Sequence, residues 1–247
     1  MESDNSIGGN GSVRLQKYMA DCGVDSRRHC ETYIVAGRVA VNGTIVTELG
    51  TKVIAGQDKV IFDGKLLKLP QERCLYLVFN KPRGYLVTAS DTHGRKTIYK
   101  LLHDIKTRVF PVGRLDMDTD GLLLLTNDGQ FANKLMHPSN EIEKEYDVVV
   151  WGEITDDAID ALRKGIAIED GFVTAPATVR KHKSTETNTS RLSVTIHEGH
   201  KRQVRMMMRA VGHTVKQLTR VREGKVTLGN LPSGKWRELT ADELQSL

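Results

Sequence analysis

Residues 113–129 read Gly-Arg-Leu-Asp-Met-Asp-Thr-Asp-Gly-Leu-Leu-Leu-Leu-Thr-Asn-Asp-Gly, and nothing else in the chain constrains its fold as tightly. Four consecutive leucines, Leu122 to Leu125, lie between Gly121 and the turn signal Asn127-Asp128-Gly129. So short a run, with no polar position in it, predicts a strand buried on both faces. The acidic loop before it is then pinned to the core. Arg114 and Asp116 sit two residues apart at the mouth of that strand. A carboxylate held firmly beside a cation is a candidate for chemistry rather than a loose surface charge.

Three readings of the loop compete. A solvated acidic turn is the commonplace one. A calcium loop is the second, because Asp116, Asp118, Asp120 and Gly121 have the spacing of an EF-hand start. It fails because Asn127 stands where the bidentate Glu should fall, and the leucine strand replaces half of the binding loop. The third reading is a catalytic Asp116.

With 247 residues the chain can build one large domain and a small one. The net charge of +5 hints at a polyanionic partner without establishing one. No apolar run approaches a membrane span. Residues 1–12 are polar and rich in Gly, Asn and Ser, which predicts a disordered tail and not a signal peptide. Cys22, Cys30 and Cys74 form no pair motif, which points to a reducing, cytoplasmic compartment. His197-Glu198-Gly199-His200 is one residue short of zinc-protease spacing and follows a strand, so no metal site is expected.

Residues 13–60 read as one module. Leu15, Tyr18, Met19 and Cys22 recur at helical spacing and Gly23 closes that helix. Asp25 or Ser26 can cap a second helix with Cys30, Tyr33 and Ile34 as its stripe. Val39-Ala40-Val41-Asn42-Gly43-Thr44-Ile45-Val46 is a hairpin signal. Residues 61–73 are charged, contain Pro70, and read as a linker. From there to residue 247 strands are expected at 75–79, 146–151, 172–180 and 191–197. Helices are expected at 129–136, 155–164 and 202–211, with a last one begun by the capping box Thr240…Glu243. Residues 181–190 read as a polar surface loop. Strands outnumber helices without strict alternation, so the fold class is α+β with a mixed, largely antiparallel sheet.

At about 3.6 residues per turn, Arg202, Arg205 and Arg209 share one face of the helix at 202–211. Val204, Met207, Met208 and Val211 share the other, so the helix packs on one side and is cationic on the opposite one. On this pattern alone a solvent-facing basic helix is equally acceptable.

Several of these stretches resemble one family. Gly113-Arg114-Leu115-Asp116 is similar to the signature of the pseudouridine synthases of the RsuA and RluB type. So are Asn80-Lys81-Pro82-Arg83-Gly84, Glu143-Lys144-Glu145-Tyr146, Glu198-Gly199-His200-Lys201-Arg202-Gln203-Val204-Arg205, Val215-Lys216-Gln217-Leu218 and Lys235-Trp236-Arg237-Glu238-Leu239. The matches run in order through nearly the whole chain. Ser26-Arg27-Arg28, Ala36-Gly37-Arg38-Val39 and Val41-Asn42-Gly43 resemble the RNA-binding domain named after small-subunit ribosomal protein four. In that domain Lys17, Arg27, Arg28 and Arg38 would face RNA.

The resemblance implies a catalytic domain over residues 74–247 that isomerises uridine to pseudouridine in ribosomal RNA, without cofactor or metal. It makes Asp116 the nucleophile, pairs Arg205 with that carboxylate, and sets Tyr146 against the target base. Leu218 becomes the apolar wall under the base, and Arg114, Lys81 and Arg202 support or contact the substrate. Thr88 to Thr97 resembles the branch acting on large-subunit rRNA, with the small-subunit branch as its rival. The partner implied is ribosomal RNA or a pre-ribosomal particle, met by a monomer away from any membrane. A catalytically silent RNA-binding or ribosome-assembly protein is the reading from another class.

Overall fold

The computed structural model describes residues 11–69, 73–169 and 171–247. The chain divides into two compact units, Met1–Arg73 and Cys74–Leu247. The first runs β1 (Ser12–Arg14), α1 (Leu15–Asp21), α2 (Arg27–Val35), β2 (Val39–Val41), β3 (Thr44–Val46), β4 (Lys52–Ile54), β5 (Val60–Phe62) and β6 (Lys65–Leu66). Leu15, Met19, Cys30, Ile34, Val39, Val53 and Val60 are all buried in one small core. Ser26 caps α2 by accepting from the His29 amide at 3.2 Å. Asp25 braces the same turn by accepting from the Ser26 amide, the His29 ring and the Tyr33 hydroxyl.

Two boundaries differ from the sequence reading. Residues 61–66, expected in a linker, belong largely to β5 and β6, which extend the hairpin into a four-stranded sheet of order β3-β2-β5-β6. Ile61 and Phe62 before the turn and Leu66 after it are the apolar positions of this hairpin, and the turn at Asp63-Gly64 takes positive φ at both positions. Ser12, expected in a disordered tail, pairs with Ile54 across the β1–β4 ladder. Residues 1–10 of that tail and 70–72 of the linker lie outside the described residues. Of the cations expected to meet RNA, Arg27 and Arg28 are exposed at the start of α2. Lys17 pairs with Asp21 at 3.6 Å. Arg38 is used inside the unit: its fork is bonded to Asp63 and its plane lies over the Tyr33 and Phe62 rings.

The second unit runs β7 (Tyr76–Lys81), β8 (Phe110–Val112), β9 (Asp120–Thr126), α3 (Gly129–Met136), β10 (Lys144–Trp151), α4 (Asp156–Lys164), β11 (Thr178–His182), β12 (Thr189–Ile196), α5 (Gln203–Ala210), β13 (Val215–Glu223), β14 (Val226–Thr227), β15 (Trp236–Glu238) and α6 (Ala241–Gln245). Its sheet has the order β11-β12-β10-β13-β9-β7-β15, with β14 against β13 and β8 against β9. Every pairing is antiparallel except β13 with β9. The α+β class and the mixed, largely antiparallel sheet are as the sequence predicts.

Leu122 to Leu125 are each fully buried. Their side chains alternate between two cores, because successive residues of a strand face opposite ways. Leu122 and Leu124 join Val78, Val112, Ala132 and Leu135. Leu123 and Leu125 join Leu77, Phe79, Val148 and Val150, a layer closed by Val204, Met207 and Met208 of α5. Each leucine contributes roughly 2 kcal/mol of burial.

The strand expected at 172–180 is regular only from Thr178. Pro176 has no amide hydrogen to give a ladder, and Thr174 instead bonds Ile166 through both its amide and its hydroxyl. The polar loop expected at 181–190 contracts to 183–188, because both of its ends are taken into β11 and β12.

Gly121 is the tightest point of the sheet. It pairs with Lys81 on one side and Arg220 on the other, at φ 103°. A Cβ there would stand 2.2 Å from the Arg220 carbonyl oxygen, whereas one on Gly113 (φ 75°) would meet nothing within 4 Å. Gly121→Ala is therefore expected to lower the unfolding free energy by about 3 kcal/mol or more. Gly113→Ala should lose only about 1 kcal/mol. Urea unfolding of the two variants measures the difference, and equal losses would contradict it.

Candidate active site

The loop between β8 and β9 is held by its backbone. Lys81 closes β7 and its side chain is fully buried. Its ammonium donates to the carbonyls of Asp116 at 3.0 Å, Thr119 at 2.7 Å and Pro82 at 3.1 Å. The Gly84 amide donates to the Met117 carbonyl at 2.7 Å. Arg205 Nη2 and Arg83 Nε take the Asp118 carbonyl at 2.8 and 3.1 Å. Four successive carbonyls, 116 to 119, thus each have a donor outside the loop. Burial pulls the Lys81 pKa down to about 8, against the pull of Asp120, Asp116 and Asp118. Lys81 was expected both in a motif supporting the loop and among the substrate-binding residues. Its place under the loop, with its donors turned to backbone, makes it a positioning residue instead.

The loop carries two carboxylates. Asp118 receives a two-pronged bond from Arg202, both arms at 3.0 Å, and Arg205 Nε lies 3.3 Å from it. Burial works against its charge, but these two guanidinium groups hold its carboxyl below the ordinary range. Asp116 is half-buried, and the cation it meets is Arg202, at 3.7 Å. The expected pairing of Arg205 with Asp116 is therefore corrected: Arg205 pairs with Asp118. The reason is geometric, since Arg205 starts from the first full turn of α5 and its reach ends at the Asp118 carbonyl. Arg202, at the N-cap of that helix, sits at φ 56°, a left-handed conformation uncommon for a side-chain-bearing residue. From there its fork reaches both carboxylates.

Asp116 opens onto a cavity of about 1130 Å³. Tyr146, Leu218, Arg114 and Arg202 also line it, so four expected residues join Asp116 around one space. Tyr146 comes from β10 and Leu218 from β13, both from the face that also carries Val148. Arg114 is exposed at the rim. His200, which also lines the cavity, stacks on Phe172 with ring centroids 4.5 Å apart. Arg205 and Lys81 stand behind the loop rather than in the cavity wall.

Lys144, Arg220 and Glu223 also line the cavity, and sequence reasoning gave them no role. Tyr146 faces Arg220 across the β10–β13 ladder, and Lys144 faces Glu223. Arg220 and Glu223 are both 2% exposed and meet at 3.2 Å. Burial raises the Tyr146 pKa, while the adjoining Arg220 opposes the rise. The signal for Arg220 was its position two residues after Leu218, which puts both on one face if 215–223 is a strand. Among the described residues no group of three or more His, Cys, Asp or Glu side chains could hold a metal ion, and no helix is long and apolar enough to cross a membrane.

The profile of the RNA pseudouridylate synthase family matches residues 75–210, and that of the S4 domain matches residues 13–58. The chain is 44% identical to an "Uncharacterized RNA pseudouridine synthase" of Aquifex aeolicus (strain VF5), over 95% of this chain and 93% of that one. It is 46% identical to the "Ribosomal large subunit pseudouridine synthase B" of Bacillus subtilis (strain 168), over 95% of each. A solved structure described as "Crystal structure of pseudouridylate synthase" superposes with a TM-score of 0.67 at 31% identity, covering 95% of this chain and 99% of that one.

Lys81→Met keeps the bulk but leaves the loop carbonyls without their donor. Turnover is expected to fall by about 10²-fold with KM little changed, the size of effect that a small misplacement of a reacting group produces. Steady-state kinetics beside a thermal melt checks it; an unchanged kcat in a folded variant would contradict the positioning role.

Proposed function

Because the chain belongs to the RNA pseudouridylate synthase family, we propose that it isomerises a specific uridine of large-subunit ribosomal RNA, with Asp116 as nucleophile. The observation that carries this reading is the convergence of Asp116, Tyr146 and Leu218 on one cavity. The relatives named ribosomal large subunit pseudouridine synthase B, at 41–46% identity, support the choice of substrate.

The chemistry sets three demands. The target base leaves its stack for a few kcal/mol and needs an apolar floor, which Leu218 supplies. A carboxylate then takes the ribose C1′ as the N1–C1′ pair leaves with the uracil, by the logic of a retaining glycosidase. Asp116 is the loop carboxylate not already chelated by a guanidinium fork. Its neighbour Asp118 is spent on Arg202 and Arg205. The base turns, its C5 bonds to C1′, and Asp116 is released. Last, the proton on C5 departs, its bonding pair closes C5=C6, and N1 takes up a proton; Tyr146 is the group that carries it.

The N-terminal unit anchors the RNA. Arg27 and Arg28 stand exposed at the start of α2, where helix amides also favour phosphate. The protein works as a monomer in the cytoplasm, on ribosomal RNA or a pre-ribosomal particle.

Carbodiimide-dependent primer stops on large- and small-subunit rRNA test the proposal. The wild-type chain is expected to mark one uridine of the large-subunit RNA, and Asp116→Ala to mark none while binding RNA as before. Product from Asp116→Ala would remove the nucleophile assignment. A stop on small-subunit RNA alone would move the substrate, and binding without any stop on RNA or ribosomal particles would favour a silent binder. Replacing Arg27 and Arg28 with Ala should weaken RNA binding and lower the salt slope by about two. An unchanged slope would take them out of the interface.

A further inference from the structure

Arg220, Glu223, Lys144 and Tyr146 form a cluster of charged and polar groups in the cavity wall, held by two cross-strand pairs beside a β-bulge at Glu145/Tyr146. Its cost needs an explanation. Replacing a buried ion pair by apolar residues of similar size is usually neutral or stabilising, so stability alone does not account for keeping one. Arg220 gives its Nε to the Leu122 carbonyl at 2.7 Å. Its Nη2 and the Glu223 Oε2, though buried, make no hydrogen bond beyond their 3.2 Å charge contact. A buried ion pair with donor capacity left over calls for a reason.

The charge count supplies one. Lys144 and Arg220 are cations and Glu223 is an anion, so the cluster holds one positive charge in excess. Asp116 is the further anion that Tyr146 feels. A phenolate on Tyr146 would give Arg220 a second anionic partner beside Glu223.

We propose that Arg220, held by Glu223 and by the Leu122 carbonyl, is the positioning residue for Tyr146, orienting its oxygen toward C5 of the target base and stabilising its phenolate during proton transfer. In this step the C5–H pair becomes the C5=C6 bond, the proton passes to the Tyr146 oxygen, and N1 is left anionic. The proton then moves from Tyr146 to N1, which restores the phenolate. Arg220 touches neither proton. Gly121 fixes its backbone from the neighbouring strand, where even a methyl group would strike the Arg220 carbonyl. Burial raises the pKa of the Tyr146 hydroxyl, and Arg220 is the group that opposes this rise most strongly.

The inference rests on the proposed role of Tyr146 in the isomerisation, and the test separates the two. Arg220→Met alone would leave Glu223 buried and unpaired, so the main variant is Arg220→Met with Glu223→Leu, which removes both charges at similar volume. Arg220→Lys and Tyr146→Phe accompany it. Single-turnover rates are measured on RNA carrying uridine, 5-deuterated uridine or 5-fluorouridine at the target. Fluorine at C5 cannot leave as a proton, so that substrate reports bond cleavage and rejoining only.

The double variant is expected to slow uridine turnover by about 10²-fold or more, the range for a general base, with a deuterium effect larger than wild type. It should rearrange 5-fluorouridine RNA at nearly the wild-type rate, and Arg220→Lys should recover part of the loss. Equal slowing on both substrates without a deuterium effect would mean a purely structural role and would overturn the inference. So would unchanged turnover of uridine RNA by the double variant while Tyr146→Phe is impaired. Wild-type turnover by Tyr146→Phe would overturn the role of Tyr146 and this inference together.

Discussion

The site hangs on one buried ammonium. Lys81 sits at the end of β7, fully enclosed, and bonds the carbonyls that begin and end the Asp116–Thr119 turn. A lone charge so placed would be strongly unfavourable, and three carbonyls with three carboxylates near by are what make it tolerable. The same contact makes the loop rigid. A reacting carboxylate needs to be held within a fraction of an ångström of its working position, and here the backbone is held while the Asp116 side chain stays open to the cavity. β9 carries the rest of the load. Its leucines are clamped between two cores, so the loop that feeds it has little freedom to drift.

Around that support the loop divides labour between its two carboxylates. Asp118 is tied to Arg202 and Arg205 and acts as a structural anchor for α5. Asp116 is left with a longer contact to Arg202. An aspartate two residues from its neighbour on a turn can differ this much because the turn points successive side chains in different directions. The division also explains why a guanidinium helix beside the loop does not quench the candidate nucleophile.

Much of this was legible in the sequence. The leucine run announced a strand buried on both faces because no polar position interrupts it, and the caps Ser26, Thr155 and Thr240 announced helices because their side chains replace missing backbone acceptors. Asp116, Tyr146 and Leu218 were found through motifs, and they do share a cavity. What was hidden depended on pairing across the sheet. β13 alternates with charged residues and contains no apolar run, so it did not read as a central strand. Its partners β9 and β10 make it one. With β13 unseen, Arg220 and Glu223 were not placed beside Tyr146. The motif around Lys81 read as a support of the loop, but only the folded chain shows that its ammonium turns to the loop carbonyls and away from the cavity.

In the proposed reaction a preformed loop presents Asp116, and not Asp118, to the reacting sugar. A crystal structure of the protein with an RNA stem-loop carrying 5-fluorouridine at the modified position tests it most directly. An Asp116 carboxylate oxygen is expected as the protein atom nearest the ribose C1′, with Lys81 still bonded to the 116 and 119 carbonyls and Asp118 still held by Arg202 and Arg205. A sugar met by Asp118, or a loop rebuilt with Lys81 released, would contradict it.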